Sequence, residues 1–201
     1  MSSASIIAGG CLLLGAGLLV SGSTSCSPAP DSGRVTEVLQ PDFRTYSENV
    51  DFYLQRRCGT LDCHGQPGRA YRIYGQTGFR LYNEDAGLVS GQQPTTEAEK
   101  LANFQALVAL EPEEMSRLVA TQGAEPNKLI LLRKPLLLER HKGGPAMAED
   151  DAGYKCVVNW LRIPTVRPTS DGLAFEPVPP EQRLQLTPRQ KQDCTEAQNF
   201  P

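Results

Sequence analysis

The stretch Arg57-Cys58-Gly59-Thr60-Leu61-Asp62-Cys63-His64-Gly65 places two cysteines and a histidine close together in the chain. His64 is one of only two histidines, and it directly follows the second cysteine. Four residues separate the cysteines, and Gly59 can adopt the unusual backbone angles that an outward bulge of this spacer needs. Two thiols beside an imidazole are typical of a covalent cofactor site, a metal site or a small disulfide loop.

Covalent haem attachment uses this residue set. Two thiols add across the haem vinyl groups, and the adjacent imidazole then reaches the iron from the same side. Cys58 and Cys63 would hold the haem, and His64 would be the proximal iron ligand. Two alternatives stay open. Cys58 and Cys63 could form a disulfide, or both cysteines and His64 could bind zinc with His141 as the fourth ligand.

The motif resembles the long-spacer haem sites of some c-type cytochromes, and the resemblance extends over about residues 50–162. A leucine-rich segment from Leu131, then His141-Lys142-Gly143-Gly144, then a helix ending near Trp160 follow in the order found in bacterial envelope cytochrome c-like domains. In that family these elements close the haem site. The resemblance implies a mainly α, cytochrome c-like small helical domain with haem c as its cofactor.

The second axial position of such a haem iron needs a distal ligand. His141 is the only other histidine, and Gly143 and Gly144 would let its loop approach a flat ring closely. Met147, six residues further on, is the alternative ligand, and an open iron is a third arrangement. A thioether raises the reduction potential relative to a second imidazole, so the alternatives predict different redox behaviour.

The beginning of the chain predicts export. Residues 1–25 carry no charged side chain, and the apolar run 6–20 is shorter than the ~20 residues that span a membrane, which is typical of a signal-peptide core. Small residues followed by Cys26 resemble a bacterial lipoprotein cleavage site. The resemblance implies lipid on Cys26, and the non-acidic Ser27 favours the periplasmic face of the outer membrane. The alternative is an ordinary secretory signal that is cut nearby.

Composition limits the classes of binding partner and predicts the domain organisation of the chain. The formal net charge is -3 and the basic residues are scattered, which predicts no nucleic-acid partner. We expect a signal peptide over 1–25, a flexible tether over 26–44, a haem domain over 45–163 and a Pro-rich C-terminal extension over 164–201 that wraps the domain. Cys11 would be lost with the signal peptide, so Cys156 and Cys194 are the cysteines left over after lipid and haem attachment. In an oxidising compartment we expect them to pair.

The spacing of apolar residues predicts the secondary-structure elements. Val50, Tyr53 and Leu54 lie on one face of a helix that Ser47 would cap and that runs into Cys58. A second helix is expected after Thr95 or Thr96, with an apolar stripe from Leu101 to Val108, and a third is expected after Pro112. A short helix is expected in the leucine-rich run, and another from Asp150 or Asp151 to Pro164. Alternating residues on both sides of 75–78 predict a short β-hairpin.

These observations favour a lipid-anchored monohaem cytochrome that carries single electrons between the membrane and an unidentified redox protein. No catalytic constellation is visible in the sequence, so we expect an electron carrier rather than an enzyme. Two other classes remain open: a non-haem lipoprotein, held by disulfides, that binds a partner, and a zinc-stabilised domain.

Overall fold

The computed structural model describes residues 37–76, 78–82, 91 and 93–199. The signal peptide, the lipid on Cys26 and most of the tether therefore lie outside the described residues and stay predictions. Among the described residues, no helix has the length and apolar character to cross a membrane.

The described chain is mostly helical, with one small antiparallel sheet, as the sequence predicts in outline. In chain order the elements are α1 (Phe43–Thr45), a π-helical turn (Tyr46–Val50), α2 (Asp51–Cys58), α3 (Glu97–Val108), α4 (Pro112–Ala120), a 3₁₀ turn (Pro126–Lys128), α5 (Ile130–Arg133), α6 (Ala152–Leu161), β1 (Val166–Pro168), β2 (Phe175–Pro177), a 3₁₀ turn (Pro180–Gln182) and α7 (Pro188–Gln198).

The helical segment that delivers the chain to Cys58 begins earlier than expected. Ser47 does not cap it, because Asp42 accepts a hydrogen bond from the backbone N–H of Thr45 at 2.7 Å and so starts α1. An Asp at this position satisfies an amide that has no partner inside the helix. The segment then continues through the π-helical turn into α2, which ends at Cys58 as predicted.

An aromatic cluster forms the centre of the core. The Tyr46 ring lies 5.4 Å from Phe104 and 5.2 Å from Trp160, measured between ring centres. The indole Nε1 of Trp160 donates to the carbonyl oxygen of Asp42 at 2.8 Å, so this N–H is not buried without a hydrogen-bond partner. Trp160 is fully buried in this core.

Two of the expected middle helices follow their predicted caps. Thr96 forms a capping box with Glu99 at the start of α3, and Pro112 occupies the first turn of α4. In α3 the predicted stripe is buried except at Leu101, which is exposed.

Among the described residues, the expected hairpin is reduced to a single isolated bridge between Tyr74 and Phe79. Side chains of α3 take the backbone groups that a strand ladder would use. Asn103 Oδ1 accepts from the Tyr74 N–H at 2.7 Å, and its Nδ2 donates to the Tyr74 carbonyl at 2.8 Å. The buried carboxylate of Glu99 accepts from the Leu81 N–H at 3.0 Å.

The C-terminal extension contains regular structure that the proline count did not predict. β1 and β2 pair antiparallel, and α7 packs against α6. The disulfide between Cys156 of α6 and Cys194 of α7 is present, which confirms the expected pairing. Leu186, Cys194 and Ala197 are buried in the same core as α6.

Candidate haem site

The cysteine-histidine stretch folds as a closed loop at the end of α2. The His64 N–H donates to the Cys58 carbonyl at 2.8 Å, and the N–H groups of Cys63 and Gly65 both donate to the Thr60 carbonyl at 2.9 Å. These bonds gather the four spacer residues into a compact turn. Cys58, Cys63 and His64 therefore lie at one edge of the same short loop.

Glycines make this turn compact by close contact. Gly59 has ordinary backbone angles, φ -87° and ψ 13°, so the expectation that it supplies unusual angles is wrong. A Cβ on Gly59 would lie 2.7 Å from the Gln55 carbonyl oxygen, and a Cβ on Gly65 would lie 1.9 Å from the Gly59 carbonyl oxygen. A Cβ on Gly78 would also lie 2.1 Å from that oxygen. Glycine is required here because backbones meet without room for side chains.

His64 is held in the tautomer that suits metal ligation. Its Nδ1 lies 2.7 Å from the Tyr71 carbonyl oxygen. Because a carbonyl can only accept, Nδ1 carries the proton and the Nε2 lone pair is left for a metal. Burial lowers the pKa of His64, and the nearby His141 and Arg69 act in the same direction against the Tyr71 bond. The imidazole is therefore neutral at neutral pH.

His141 is held in the same way from the opposite part of the chain. It lies in residues 140–147, which we call the His141 loop, and its Nδ1 is 2.8 Å from the Gly144 carbonyl oxygen. Gly144 has φ +75°, which favours glycine, and a Cβ on Gly143 would lie 3.2 Å from Cε1 of the His141 ring. Both glycines let the loop fold tightly around its own imidazole.

The structure brings the two histidines together. Their ring centres are 6.4 Å apart and their planes differ by 9°. Two metal–nitrogen bonds of about 2 Å, plus about 1 Å from each nitrogen to its ring centre, place two axial imidazoles about 6 Å apart. Direct face-to-face contact would instead bring the rings to about 3.5–4.0 Å. The observed spacing matches that of two imidazoles on one metal ion.

Two adjoining cavities lie beside this histidine pair, and Cys58 and both histidines line each of them. One, of about 200 Å³, is walled mainly by apolar groups of Tyr71, Leu110, Ile130, Leu131 and Met147. The other, of about 880 Å³, which we call the basic cavity, is bordered by five cations and one carboxylate: Arg57, Arg69, Lys134, Arg140, Lys142 and Asp62. The first cavity therefore suits an apolar group, and the second offers mainly positive charge.

A buried hydroxyl adds to the fit. Tyr71 is 7% exposed, and within the described residues its hydroxyl has no hydrogen-bond partner. An unpaired buried hydroxyl costs free energy, which a bound group would recover by accepting a hydrogen bond from it.

The cysteines of the motif are both free thiols in the structure, so the expected alternative of a Cys58–Cys63 disulfide is not what forms. Burial, and then the neighbouring Cys63, raise the pKa of Cys58 to about 12. Within the described residues, no group of three or more His, Cys, Asp and Glu side chains is arranged to hold a metal ion.

Met147, the alternative distal ligand, is buried and lines the apolar cavity beside His141.

Sequence reasoning missed three contacts at this site. Arg69 Nε donates to the Cys63 carbonyl at 2.9 Å, Arg57 Nε donates to the Ala146 carbonyl at 2.9 Å, and the Tyr71 carbonyl orients His64. Bonds from a side chain to a distant backbone leave no sequence pattern, so no signal could have found them.

Comparison of the chain with protein-family models, with curated proteins and with solved structures found no match.

Proposed function

We propose that this protein is a monohaem c-type cytochrome that carries single electrons in the bacterial cell envelope. The observation that supports it best is the pair of imidazoles, 6.4 Å apart and 9° from parallel, with each Nδ1 bonded to a backbone carbonyl. Each of these two side chains, from distant parts of the chain, thus keeps Nε2 free of the carbonyl bond, and their ring centres stand at a spacing that suits two imidazoles on one iron.

The residues around the pair have defined roles in this proposal. Cys58 and Cys63 form thioether bonds to haem c, His64 is the proximal ligand and His141 the distal one. The apolar walls of the smaller cavity would keep water away from the haem, and the cations that border the larger cavity would offset negative charge on it. Haem iron supplies a one-electron couple, and two bound imidazoles leave no position for a substrate, which suits a carrier rather than an enzyme.

The location and partners belong to the same proposal. Lipid on Cys26 would hold the domain at the periplasmic face of the outer membrane, with the chain that follows Cys26 as the tether. Of the expected tether 26–44, Leu39, Gln40 and Asp42 are instead hydrogen-bonded to the domain. A redox protein would then receive or supply the electron. The Cys156–Cys194 disulfide supports an oxidising compartment, because such bonds rarely persist where thiol reductants are abundant.

The test is a visible spectrum of the full chain from a host that has haem-attachment machinery. We expect a Soret band that stays with the protein through acid–acetone extraction. The double variant Cys58→Ala/Cys63→Ala should lose it, whereas the matched control Cys156→Ser/Cys194→Ser should keep it. A wild-type protein without covalent haem would overturn the proposal and favour the disulfide-held binding protein.

A further inference from the structure

The His141 loop is attached to the rest of the molecule at few described points. On one side, the N–H groups of Ala146 and Met147 donate to the Pro135 carbonyl at 3.0 and 3.3 Å. On the other side, Arg57 Nε donates to the Ala146 carbonyl at 2.9 Å, across 89 residues of chain. The Ala146 peptide thus lies between the two halves of the site and is bonded to both.

Arg57 is well placed for this contact. It belongs to α2 and directly precedes Cys58, so its backbone is fixed by the helix and would be fixed further by haem attachment at the next residue. It also lines the basic cavity together with residues of the His141 loop. The bond therefore joins the segment that carries the covalent attachment to the segment that carries the distal imidazole.

We propose that Arg57 is a positioning residue that latches the His141 loop to α2 and so limits how often His141 leaves the iron. The inference rests on the proposed function. The loop has no helix or strand of its own, and such segments open locally at low free-energy cost, so one cross-bond changes the open population measurably.

The chain offers a matched control. Arg56 is the neighbouring residue on α2, is equally exposed, and donates through Nη1 to a distant backbone carbonyl, that of Gln198, at 3.1 Å. Arg56→Gln therefore removes the same charge and the same kind of bond, together with a contact of the guanidinium over the Phe52 ring, without touching the His141 loop.

The first measurement is the rate of carbon monoxide binding to the ferrous protein, which requires the distal ligand to leave. We expect Arg57→Gln to bind roughly fivefold faster than the wild type, as the loss of one charge-assisted hydrogen bond at a partly solvated site implies. Arg56→Gln should stay within about twofold of the wild type. Arg57→Lys, which keeps the charge and one donor, should fall between the wild type and Arg57→Gln.

The second measurement is hydrogen exchange of the Ala146 and Met147 amides, which needs no haem. Exchange should be roughly fivefold faster in Arg57→Gln than in Arg56→Gln. Equal exchange in both variants overturns the latch, as does equal carbon monoxide binding with covalent haem retained. Faster exchange without any covalent haem would support the latch and overturn the proposed function instead. If Arg57→Gln does not fold, Arg57→Lys against Arg56→Lys gives the same comparison.

Discussion

The guanidinium of Arg183 donates a hydrogen bond to the carboxylate of Asp42 at 2.8 Å and joins the C-terminal extension to the cap of the first helix. The same carboxylate accepts from Thr45, and the backbone carbonyl of Asp42 accepts from Trp160. One residue thus links the start of the domain, the helix that follows the His141 loop and the extension.

Acid should weaken this link. Burial raises the pKa of Asp42, but the bonds from Arg183 and Thr45 outweigh it and hold the pKa below its usual value. The unfolded chain then binds the proton more tightly, so the stabilisation is complete above the unfolded pKa of about 3.9 and disappears as the pH falls through the lower, folded pKa. Asp42→Asn should lower the free energy of unfolding by about 1–2 kcal/mol at neutral pH. It should also make that free energy depend less steeply on pH in acid.

Urea unfolding at several pH values measures this effect. The control is Glu48→Gln, which breaks an exposed pair between Arg44 and Glu48 on the same helical segment. It should cost less than about 0.5 kcal/mol. Equal losses for Asp42→Asn and Glu48→Gln would show that the Asp42 link carries no special weight.

The Cys156–Cys194 disulfide should stabilise the extension against unfolding. It closes a separation of 38 residues, and loop-closure entropy then gives about 4 kcal/mol. The double variant Cys156→Ser/Cys194→Ser should show this loss in urea unfolding. Alkylation of the native protein without reductant should label neither residue, and full labelling of either would contradict the bridge.

Sequence periodicity predicted those elements whose stability comes from their own pattern. α3, α4 and α6 have apolar stripes and recognisable start signals at Thr96, Pro112 and Asp151, and all three form. α7 was missed although Thr187 and Gln190 form a capping box at its start, because its buried residues are only Cys194 and Ala197, too few for a visible apolar stripe. It is held instead by the disulfide and by packing on α6, which are tertiary effects.

The candidate site was predictable in its parts but not in its arrangement. Cys58, Cys63, His64 and His141 stood out by residue type and spacing. Their orientation depends on the carbonyl oxygens of Tyr71 and Gly144, which every residue possesses and which therefore leave no mark in a sequence. The hairpin failed for a related reason, because α3 side chains took the backbone groups that a second strand would have used.

Gly65→Ala should disrupt the motif loop. The added Cβ would lie 1.9 Å from the Gly59 carbonyl oxygen, so the turn between the cysteines must shift. We expect a loss of about 1–3 kcal/mol in the free energy of unfolding and a lower yield of covalent haem. Gly91→Ala is the control, because a Cβ there meets nothing within 4 Å. Equal yields of covalent haem in both variants would mean that the compact turn is not needed for attachment.

The identity of the distal ligand is the most informative prediction to test, because His141 and Met147 both line the same cavity. We expect His141→Ala to open the iron, giving a high-spin spectrum and fast carbon monoxide binding after reduction, with covalent haem retained. Met147→Ala should keep the low-spin spectrum and the low reduction potential of two imidazoles, since a thioether ligand would raise that potential.

The physical reason lies in the loop itself. His141 is held by the Gly144 carbonyl and stands 6.4 Å from His64, whereas Met147 is a buried side chain whose thioether also suits the packing of an irregular apolar wall. If Met147→Ala opens the iron and His141→Ala does not, the assignment is reversed. If neither variant changes the spin state and the wild type already binds carbon monoxide at once, the iron is open, and binding of a small ligand becomes the function to test in place of electron transfer.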